Sequence, residues 1–290
     1  MKILIFGAGG MLGHKLVQIL SQNFDVWATF HSDFDKYRKY PIFKSKRTFE
    51  NVDVTNPASY FKIVRRLKPD VIINAVGIIK QLPDSKDVVK TLTVNSIFPH
   101  KLAEISEETD SRLITFSTDC VFDGKKGNYK ETDVPNAYDL YGKSKNLGEV
   151  TDENCLTIRM SIIGRELTTK KSLIEWFLSN RGGKVEGFTS AIYTGFPTII
   201  LSEIIKDIIS NHKNLHGLYH ISSEPISKFD LLGFVREKYN IDVEIEPFSD
   251  FQIDRSLNSE KFRDETGFNP LSWEKMIEKM AEDSTLYEEN

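Results

Sequence analysis

The stretch KILIFGAGGMLG, residues 2–13, decides the fold of this chain. The run KILIF predicts a buried strand, and a helical pattern follows over residues 11–23. Between them Gly7, Gly10 and Gly13 recur every three residues. The first glycine permits a tight turn, the second lets a pyrophosphate approach the backbone, and the third lets the helix pack against the sheet. The stretch therefore predicts a dinucleotide-binding loop, with Met11 and Leu12 also contacting the cofactor.

Short Val/Ile-rich runs alternate with helical patterns as far as residue 160. Further strands are predicted at 25–30, 70–76, 112–118 and 155–161. Helices are predicted at 58–69, from Tyr141 onward, and at 91–109, the last interrupted or kinked near Pro99. Continuous apolar strands between helices indicate a parallel sheet covered on both faces. The order predicts an α/β fold with a doubly wound parallel sheet, the Rossmann arrangement.

After about residue 160 the pattern changes. Helices are predicted within 170–180, 198–212, 227–240 and 272–283, with a strand at 217–223 and a loop at 187–198. We therefore expect an NAD(P)-binding Rossmann domain at 1–160 and a mainly substrate-binding part at 161–290. Some segments of the second part are expected to return to the Rossmann domain.

Composition excludes several classes of function. The 290 residues carry a net charge of -4, which argues against a nucleic-acid-binding protein. Two cysteines, Cys120 and Cys155, form neither a disulfide framework nor a metal-ligand spacing. No apolar run reaches the length of a membrane span, and the N-terminus lacks a cleavage pattern. These features predict a cytoplasmic protein with no metal site, no membrane partner and no nucleic-acid partner.

The residues after the second predicted strand bear on the choice of cofactor. An acidic residue there would bind the ribose hydroxyls of NAD, but His31 and Ser32 are neutral, and Lys36 and Arg38 follow. We expect His31 and Ser32 to contact the cofactor. The cations favour NADPH, and NADH remains the alternative because Asp33 is available to bind the ribose.

A second cofactor contact is predicted at NVDVTNP, residues 51–57. There the Asp53 carboxylate, next to Val54, is placed to accept from an adenine amino group. An N-cap or turn role for Asp53 explains the same pattern, so both interpretations stay open.

The stretch AYDLYGKSKNLGE, residues 137–149, places Lys145 four residues after Tyr141. Residues four apart share a helix face, and an ammonium there favours the phenolate and lowers the tyrosine pKa from about 10. We therefore predict that Tyr141 is a general acid for a carbonyl oxygen that receives hydride, and that Lys145 also holds the nicotinamide ribose. Tyr40 and Lys44 have the same spacing, but the intervening Pro41 breaks a helix.

A hydroxyl that orients the substrate oxygen should complete this pair. The sequence FSTDCVFDG, residues 116–124, ends a predicted parallel strand, and ligands bind at the carboxyl ends of such strands. Thr118 is the predicted residue, with Ser117 as the reserve. Thr118, Tyr141 and Lys145 then form a catalytic triad.

Seven motifs together carry a family resemblance: GAGGMLG, INAVG, VNSIFPHKLAE, STDCVFDG, ETDVPNAYDLYGKSK, GFPT and RSLNSEKFRDETGF. Through them the chain resembles an extended short-chain dehydrogenase/reductase, and more narrowly the dTDP-4-dehydrorhamnose reductase group of nucleotide-sugar 4-ketoreductases. The similarity runs nearly end to end. It implies reduction of a nucleotide-linked 4-keto-6-deoxy sugar for polysaccharide assembly, and it suggests a homodimer.

The resemblance also implies positions for further site residues. The segment Asn74, Ala75, Val76 and Gly77 would line the cofactor, and Asn95 would lie on the helix behind the triad. Ile162 would face the nicotinamide. Near the sugar nucleotide, the resemblance places Arg255 and Asn258 beside Ser117, Thr118 and Cys120.

One departure from the family leaves two alternatives open. The group usually has tyrosine at Cys120, whereas GDP-fucose synthase and similar epimerase/reductases use a cysteine two residues after the catalytic hydroxyl. A bifunctional 3,5-epimerase/4-reductase therefore stands beside a packing role for Cys120, although ELTTKKSLIEWF, residues 166–177, supplies no histidine as second acid/base. The other alternative is a non-catalytic NADP-binding regulatory subunit, as in methionine adenosyltransferase.

Overall fold

The computed structural model describes residues 1–287. Its strands are β1 Lys2–Phe6, β2 Asp25–Thr29, β3 Thr48–Phe49, β4 Val71–Asn74, β5 Arg112–Thr118, β6 Cys155–Met160, β7 Ile162–Ile163, β8 Lys184–Phe188, β9 Ala191–Tyr193, β10 Phe196–Pro197, β11 Gly217–His220, β12 Ile226–Ser227, β13 Glu244–Phe248 and β14 Ile253–Asp254. Its α-helices are α1 Gly13–Leu20, α2 Pro57–Leu67, α3 Val88–Leu92, α4 Phe98–Glu108, α5 Leu140–Leu147, α6 Leu173–Ser179, α7 Thr198–Asn211, α8 Lys228–Lys238, α9 Glu260–Thr266 and α10 Trp273–Ala281.

The central sheet has seven parallel strands in the order β11-β6-β5-β4-β1-β2-β3. Alternate residues of β1 serve opposite faces: Leu4 and Phe6 pack with α2 and α4, while Ile3 and Ile5 belong to the core that includes α1 and α7. Both faces are therefore covered, which explains the continuous apolar runs. The predicted doubly wound Rossmann fold is confirmed.

The helix predicted over residues 91–109 is built from three pieces. Helix α3 ends at Leu92, a π-helical turn spans Thr93–Ile97, and α4 begins at Phe98 with Pro99 in its first turn. The main chain stays helical through this junction, and the Phe98 N–H donates to the Thr93 oxygen five residues back, so Pro99, which has no N–H to donate, follows the wider π turn. The interruption thus lies just before Pro99, and it turns Asn95 and Ser96 into the protein interior.

The second half of the chain contains several short pairings. Strands β8 and β13 pair in parallel, and β9 lies between β12 and β14. The prediction of a loop at 187–198 is wrong, because these residues contain the end of β8, all of β9 and all of β10. Such strands have two or three residues and pair with distant partners, as Phe196 does with Ile162, so local periodicity cannot detect them. Strand β11, by contrast, adds to the central sheet beside β6.

No helix among residues 1–287 is long and apolar enough to cross a membrane.

Candidate active site

The glycine turn joins β1 to α1 and forms a shallow cradle. Gly7 has φ +83°, and its oxygen accepts from the Gly10 amide at 3.0 Å. A Cβ on Gly13 would collide with the Gly7 oxygen. A Cβ on Gly10 would have the Gly7 oxygen as its one close neighbour among the described residues, at 3.3 Å. Within the described chain, the amides of Met11 and Leu12 have no main-chain acceptor. The turn therefore fits a dinucleotide pyrophosphate, which these amides and the helix N-terminus would bind.

The segment after β2 lies beside this turn. His31 is exposed and Ser32 is half-buried, and a Cβ on Gly9 would lie 2.5 Å from the Tyr37 hydroxyl, so the Tyr37 ring covers Gly9. Asp33 accepts from the Asn51 amide at 2.8 Å, so its carboxylate already has a partner.

The cations that follow remain on the surface. Arg38 pairs with Asp35 at 2.7 Å in an exposed ion pair, and Lys36 ends a short 3₁₀ helix. An exposed pair of this kind is weak, so a cofactor phosphate can compete for the Arg38 guanidinium.

Asp53 occupies a turn before α2. Its Oδ1 accepts from the Thr55 amide at 2.9 Å and from the Thr55 hydroxyl at 2.7 Å, and these bonds lower the pKa of the carboxyl group. The N-cap of α2 is Asn56, whose side chain accepts from the Ala58 amide at 3.1 Å. The N-cap interpretation of Asp53 is therefore wrong, because the cap lies three residues later. Asp53 instead stabilises the turn through its bonds to Thr55. Val54 is half-buried against the core.

Two buried asparagines hold the segment after β4. Asn74 donates from Nδ2 to the Thr115 hydroxyl at 3.2 Å and accepts from the Val76 amide at 3.1 Å. Asn95, in the π-helical turn, accepts from the Ile78 amide at 2.8 Å and donates to the Ile78 oxygen at 2.9 Å. These bonds fix residues 74–78, including Ala75 and Gly77, at the carboxyl edge of the sheet.

The same π-helical turn also fixes α5. Asn95 donates to the Ser144 hydroxyl at 3.0 Å, and the Ser96 hydroxyl donates to the Ser144 oxygen at 2.7 Å. These two bonds fix the position of α5, which carries Tyr141 and Lys145. π-helical turns often occur at functional sites, as this one does.

Thr118 ends β5 and meets Tyr141. The Thr118 hydroxyl donates to Asp119 Oδ1 at 3.0 Å and accepts from the Cys120 amide at 3.1 Å. It also lies near enough to the Tyr141 phenol to act on the pKa of that group, which it lowers. Ser117 faces the other side of the strand and donates to Glu149 Oε1 at 2.6 Å. Thr118 is therefore the hydroxyl that the structure brings to Tyr141, and Ser117 is not.

The pKa of Tyr141 shifts in the opposite direction from the one predicted for the Tyr141–Lys145 pair. Burial, followed by the charges of Cys120, Asp119 and Asp139, raises the pKa of Tyr141. The predicted lowering by Lys145 is thus wrong for the protein itself, because a buried phenol resists ionisation. Lys145 is also buried, which lowers its pKa to about 8, and its Nζ donates to the Phe116 oxygen at 2.6 Å.

Cys120 lies between this pair and the second half of the chain. Burial and the adjacent Asp119 raise the pKa of its thiol to about 11. Arg255 reaches it, with Nη1 3.9 Å from the sulfur, while Arg255 Nε donates to the Phe122 oxygen at 2.8 Å. At neutral pH Cys120 is therefore a thiol, and Arg255 supplies a positive charge beside it.

Asn258 and Ile162 are also assigned to the site by the resemblance. Asn258 is used locally: its Oδ1 accepts from the Glu260 amide at 2.9 Å, and its own amide donates to the Tyr129 oxygen at 2.7 Å. The structure does not bring it to the triad. Ile162 starts β7, directly after β6, and is half-buried.

Sequence reasoning missed three charged residues around Tyr141. Asp119 bonds Thr118, Asp139 caps α5 by accepting from the Gly142 amide at 2.9 Å, and Lys80 pairs with Asp139 at 2.8 Å. Asp139 had a detectable signal, since an aspartate directly precedes the helix that carries Tyr141. Lys80 had none, because its partner lies 59 residues away.

No group of three or more His, Cys, Asp or Glu side chains within residues 1–287 is placed to hold a metal ion.

Comparisons with known proteins find relatives over most of this chain. The family described as "RmlD substrate binding domain" matches residues 1–286. A dTDP-4-dehydrorhamnose reductase of Aggregatibacter actinomycetemcomitans is 30% identical over 79% of this chain and 76% of its own length. Methionine adenosyltransferase 2 subunit beta of Xenopus tropicalis is 23% identical over 83% of this chain and 72% of its own.

A solved structure has the same fold. The dTDP-4-dehydrorhamnose reductase of Bacillus anthracis in complex with NADP matches with a TM-score of 0.78 and 21% identity, covering 96% of this chain and 98% of that one.

Proposed function

The chain belongs to the family of the RmlD substrate binding domain, and on that premise we propose that it reduces the C4 ketone of a nucleotide-linked 4-keto-6-deoxy sugar with NADPH. The family predicted from the motifs is confirmed, as is the class of NAD(P)-dependent oxidoreductase. The observation that carries the proposal is the meeting of the Tyr141 and Thr118 hydroxyls at the carboxyl end of β5.

Tyr141 and Thr118 perform the proton chemistry. NADPH, when bound, supplies the hydride that adds to the carbonyl carbon. On substrate binding the Thr118 hydroxyl turns its proton from Asp119 Oδ1 to the carbonyl oxygen and orients it. The Tyr141 phenol gives its proton to that oxygen, so the product is an alcohol. Because burial raises the pKa of Tyr141, the phenol is protonated at neutral pH and ready to act as the acid.

Lys145 supports this step from the next turn of α5. Its buried amine donates to the Phe116 oxygen and is assigned to the nicotinamide ribose. The oxidised nicotinamide ring adds a second positive charge near the phenol. With a pKa near 8, Lys145 is mostly protonated at neutral pH and stabilises the tyrosinate left after proton donation.

The cofactor contacts follow the cradle already described. NADPH is the favoured cofactor and NADH the alternative. The pyrophosphate is assigned to Gly7, Gly10, Met11, Leu12 and Gly13, the adenosine half to His31, Ser32, Asp53 and Val54, and the nicotinamide half to Asn74, Ala75, Val76, Gly77, Asn95, Tyr141, Lys145 and Ile162. The exposed Arg38 supports binding of a 2′-phosphate.

The sugar nucleotide is assigned to the side of the site that Cys120 and Arg255 form together. The Arg255 guanidinium complements a diphosphate, and Cys120 packs against the sugar. Asn258 is assigned to the sugar nucleotide on the family resemblance, while its own contacts are with Tyr129 and Glu260.

The epimerase alternative is disfavoured by the state of Cys120. A base for C3 or C5 must be deprotonated, and a thiol with a pKa of about 11 is almost wholly protonated at neutral pH. In D2O the reductase should give a product without deuterium at C3 or C5. Deuterium at either carbon, lost in Cys120→Ser, would establish the epimerase.

The regulatory-subunit alternative predicts NADP binding without turnover. The complete Thr118–Tyr141 contact with Lys145 on the same helix favours catalysis. If the wild type reduces a keto sugar and Tyr141→Phe does so far more slowly, this alternative is removed.

Assembly and location belong to the same proposal. Val88, Val89, Ile97 and Leu147 are exposed apolar side chains on the contiguous α3, π-helical turn and α5, which supports a homodimer through this surface. Sedimentation at working concentration tests it, with Val89→Glu expected to give monomers. The unpaired Cys120 and Cys155 support a cytoplasmic location.

A substrate screen tests the proposed function. Purified protein is mixed with NADPH and, in turn, dTDP-, UDP- and GDP-linked 4-keto-6-deoxy sugars, and loss of NADPH absorbance is followed. One nucleotide series should be reduced much faster than the others. Failure to oxidise NADPH with all three, in protein shown to bind NADPH, would contradict the proposal.

A further inference from the structure

Lys80 lies over the ring of the catalytic tyrosine. It belongs to the segment after β4, and its Nζ is 5.7 Å from the Tyr141 ring centroid. This distance is within the range in which an ammonium is attracted to an aromatic face. No part of the mechanism described above uses Lys80.

Asp139 connects Lys80 to the helix that carries Tyr141. Its Oδ1 caps α5 by accepting from the Gly142 amide at 2.9 Å, and its Oδ2 accepts from Lys80 Nζ at 2.8 Å. Although burial opposes ionisation, the hydrogen bonds from Lys80 and Gly142 hold the pKa of Asp139 below its ordinary value. Asp139 is therefore anionic, two residues from Tyr141, where its charge disfavours a tyrosinate.

Lys145 leaves a role for a second cation. Its Nζ donates to the Phe116 oxygen, whereas the Lys80 Nζ lies against the face of the Tyr141 ring. The groups that oppose ionisation of that phenol are burial, Cys120, Asp119 and Asp139. Lys80 is the ammonium that the structure places against the face of the ring.

We propose that Lys80 is a positioning residue for the reaction: its ammonium screens the Tyr141 ring from the Asp139 carboxylate and stabilises the tyrosinate formed when the proton is given up. The inference rests on the proposed role of Tyr141 as proton donor. It requires no contact between Lys80 and the substrate. It also explains why one aspartate both caps α5 and holds a lysine, since the ion pair places the cation at a fixed height over the ring.

The charged groups around Tyr141 come from five parts of the chain. They are Asp119 and Cys120 after β5, Asp139 and Lys145 at α5, Lys80 after β4, and two cations that act on Cys120, Arg255 after β14 and Lys228 at the start of α8. Lys80 and Asp139 are 41% and 42% exposed, so replacing either leaves no buried unpaired charge. Their substitution therefore tests electrostatics rather than folding.

The ionisation of Tyr141 can be measured without a sugar substrate. The full-length protein, labelled with [¹³Cζ]tyrosine and saturated with NADP⁺, is titrated by NMR, and the Tyr141 signal is assigned by its absence in Tyr141→Phe. Lys80→Gln should raise the Tyr141 pKa by about half a pH unit or more, because the Asp139 charge is then unopposed. Asp139→Ser, which keeps an N-cap hydroxyl, should lower it by a similar amount.

The double variant and two controls complete the experiment. Lys80→Gln/Asp139→Ser should return the pKa towards wild type, and Lys80→Arg should preserve it. Lys143→Gln removes an exposed charge from the same helix and should leave the pKa unchanged. A Tyr141 pKa that stays put in Lys80→Gln, or moves in the same direction in both single variants, overturns the proposal. The outcome is independent of the sugar screen, so either proposal can fail alone.

Discussion

The Nζ of Lys145 donates a hydrogen bond of 2.6 Å to the carbonyl oxygen of Phe116, two residues before Thr118 on β5. This bond ties the helix that carries Tyr141 to the strand that carries Thr118. The two hydroxyls that meet at the site are thus held by one helix, one strand and the lysine between them. The geometry separates the roles of the residues, and the following variants test that separation.

Tyr141 and Lys145 should fail in different ways. Tyr141→Phe removes the proton donor and keeps the ring, so kcat should fall by about 10²–10⁴-fold with NADPH affinity retained. Lys145→Met removes the group assigned to the ribose, so both kcat and NADPH affinity should fall. Steady-state kinetics and fluorescence titration with NADPH measure both quantities. Equal loss of NADPH affinity in the two variants would contradict the assigned roles.

Thr118 and Ser117 form a matched pair of adjacent hydroxyls on opposite sides of β5. Thr118→Val should lower kcat by about a hundredfold, since it removes a donor to the carbonyl oxygen, and should also cost about 1–3 kcal/mol of stability, because Asp119 and the Cys120 amide lose a partner. Ser117→Ala should likewise cost about 1–3 kcal/mol of stability, because Glu149 loses a buried partner, but without this fall in kcat. Denaturant unfolding and kinetics on both variants decide this, and a larger fall in kcat for Ser117→Ala would reverse the assignment.

Gly10 and Gly13 should separate cofactor binding from folding. An added methyl at Gly10 meets only the Gly7 oxygen, at 3.3 Å, so Gly10→Ala should keep a normal melting temperature. We expect the methyl to crowd the pyrophosphate assigned to this turn and to raise the KM for NADPH by about tenfold, or 1.4 kcal/mol. Gly13→Ala collides with the Gly7 oxygen and should destabilise the fold by about 1–3 kcal/mol. An unaltered KM in Gly10→Ala would exclude the turn as the pyrophosphate site.

Two buried histidines should make the fold sensitive to acid. Burial, reinforced by Lys15 at His14 and by Arg159 at His220, lowers each pKa from 6.5 to about 3. The unfolded chain therefore binds protons below pH 6.5 that the folded chain refuses. Stability should fall between pH 6.5 and about 3, by about 1.4 kcal/mol per pH unit for each histidine, and should be unaffected by them above that window.

Denaturant unfolding at a series of pH values measures this loss. His220→Asn should flatten the acid limb, whereas the same change at the exposed His216 should leave it as in wild type. An acid limb equally steep in His220→Asn would show that other groups cause the loss.

Local patterns made the principal elements readable from the sequence. The glycine spacing at residues 7–13 and the Tyr141–Lys145 spacing are each set by one turn and one helix, so they appear as short motifs. The choice between Ser117 and Thr118 needed the structure, because neighbouring residues of a strand face opposite sides and register decides which side holds the ligand.

Long-range pairings could not be read in this way. Lys80 and Asp139 are 59 residues apart and meet only because β4 and α5 converge at one edge of the sheet. The two- and three-residue strands within 187–198 depend on distant partners such as Ile162 and Ile253. The raised pKa of Tyr141 follows from burial, which the spacing of a lysine does not report.

The transfer of a labelled hydride tests the central claim most directly. The protein is given NADPH in which both hydrogens at nicotinamide C4 are deuterium, together with the 4-keto-6-deoxy sugar nucleotide that the screen selects. The product is examined by NMR. Our account predicts deuterium at C4 of the sugar, in wild type and, far more slowly, in Tyr141→Phe. A product reduced without deuterium at C4, or carrying it at another carbon, would contradict the account.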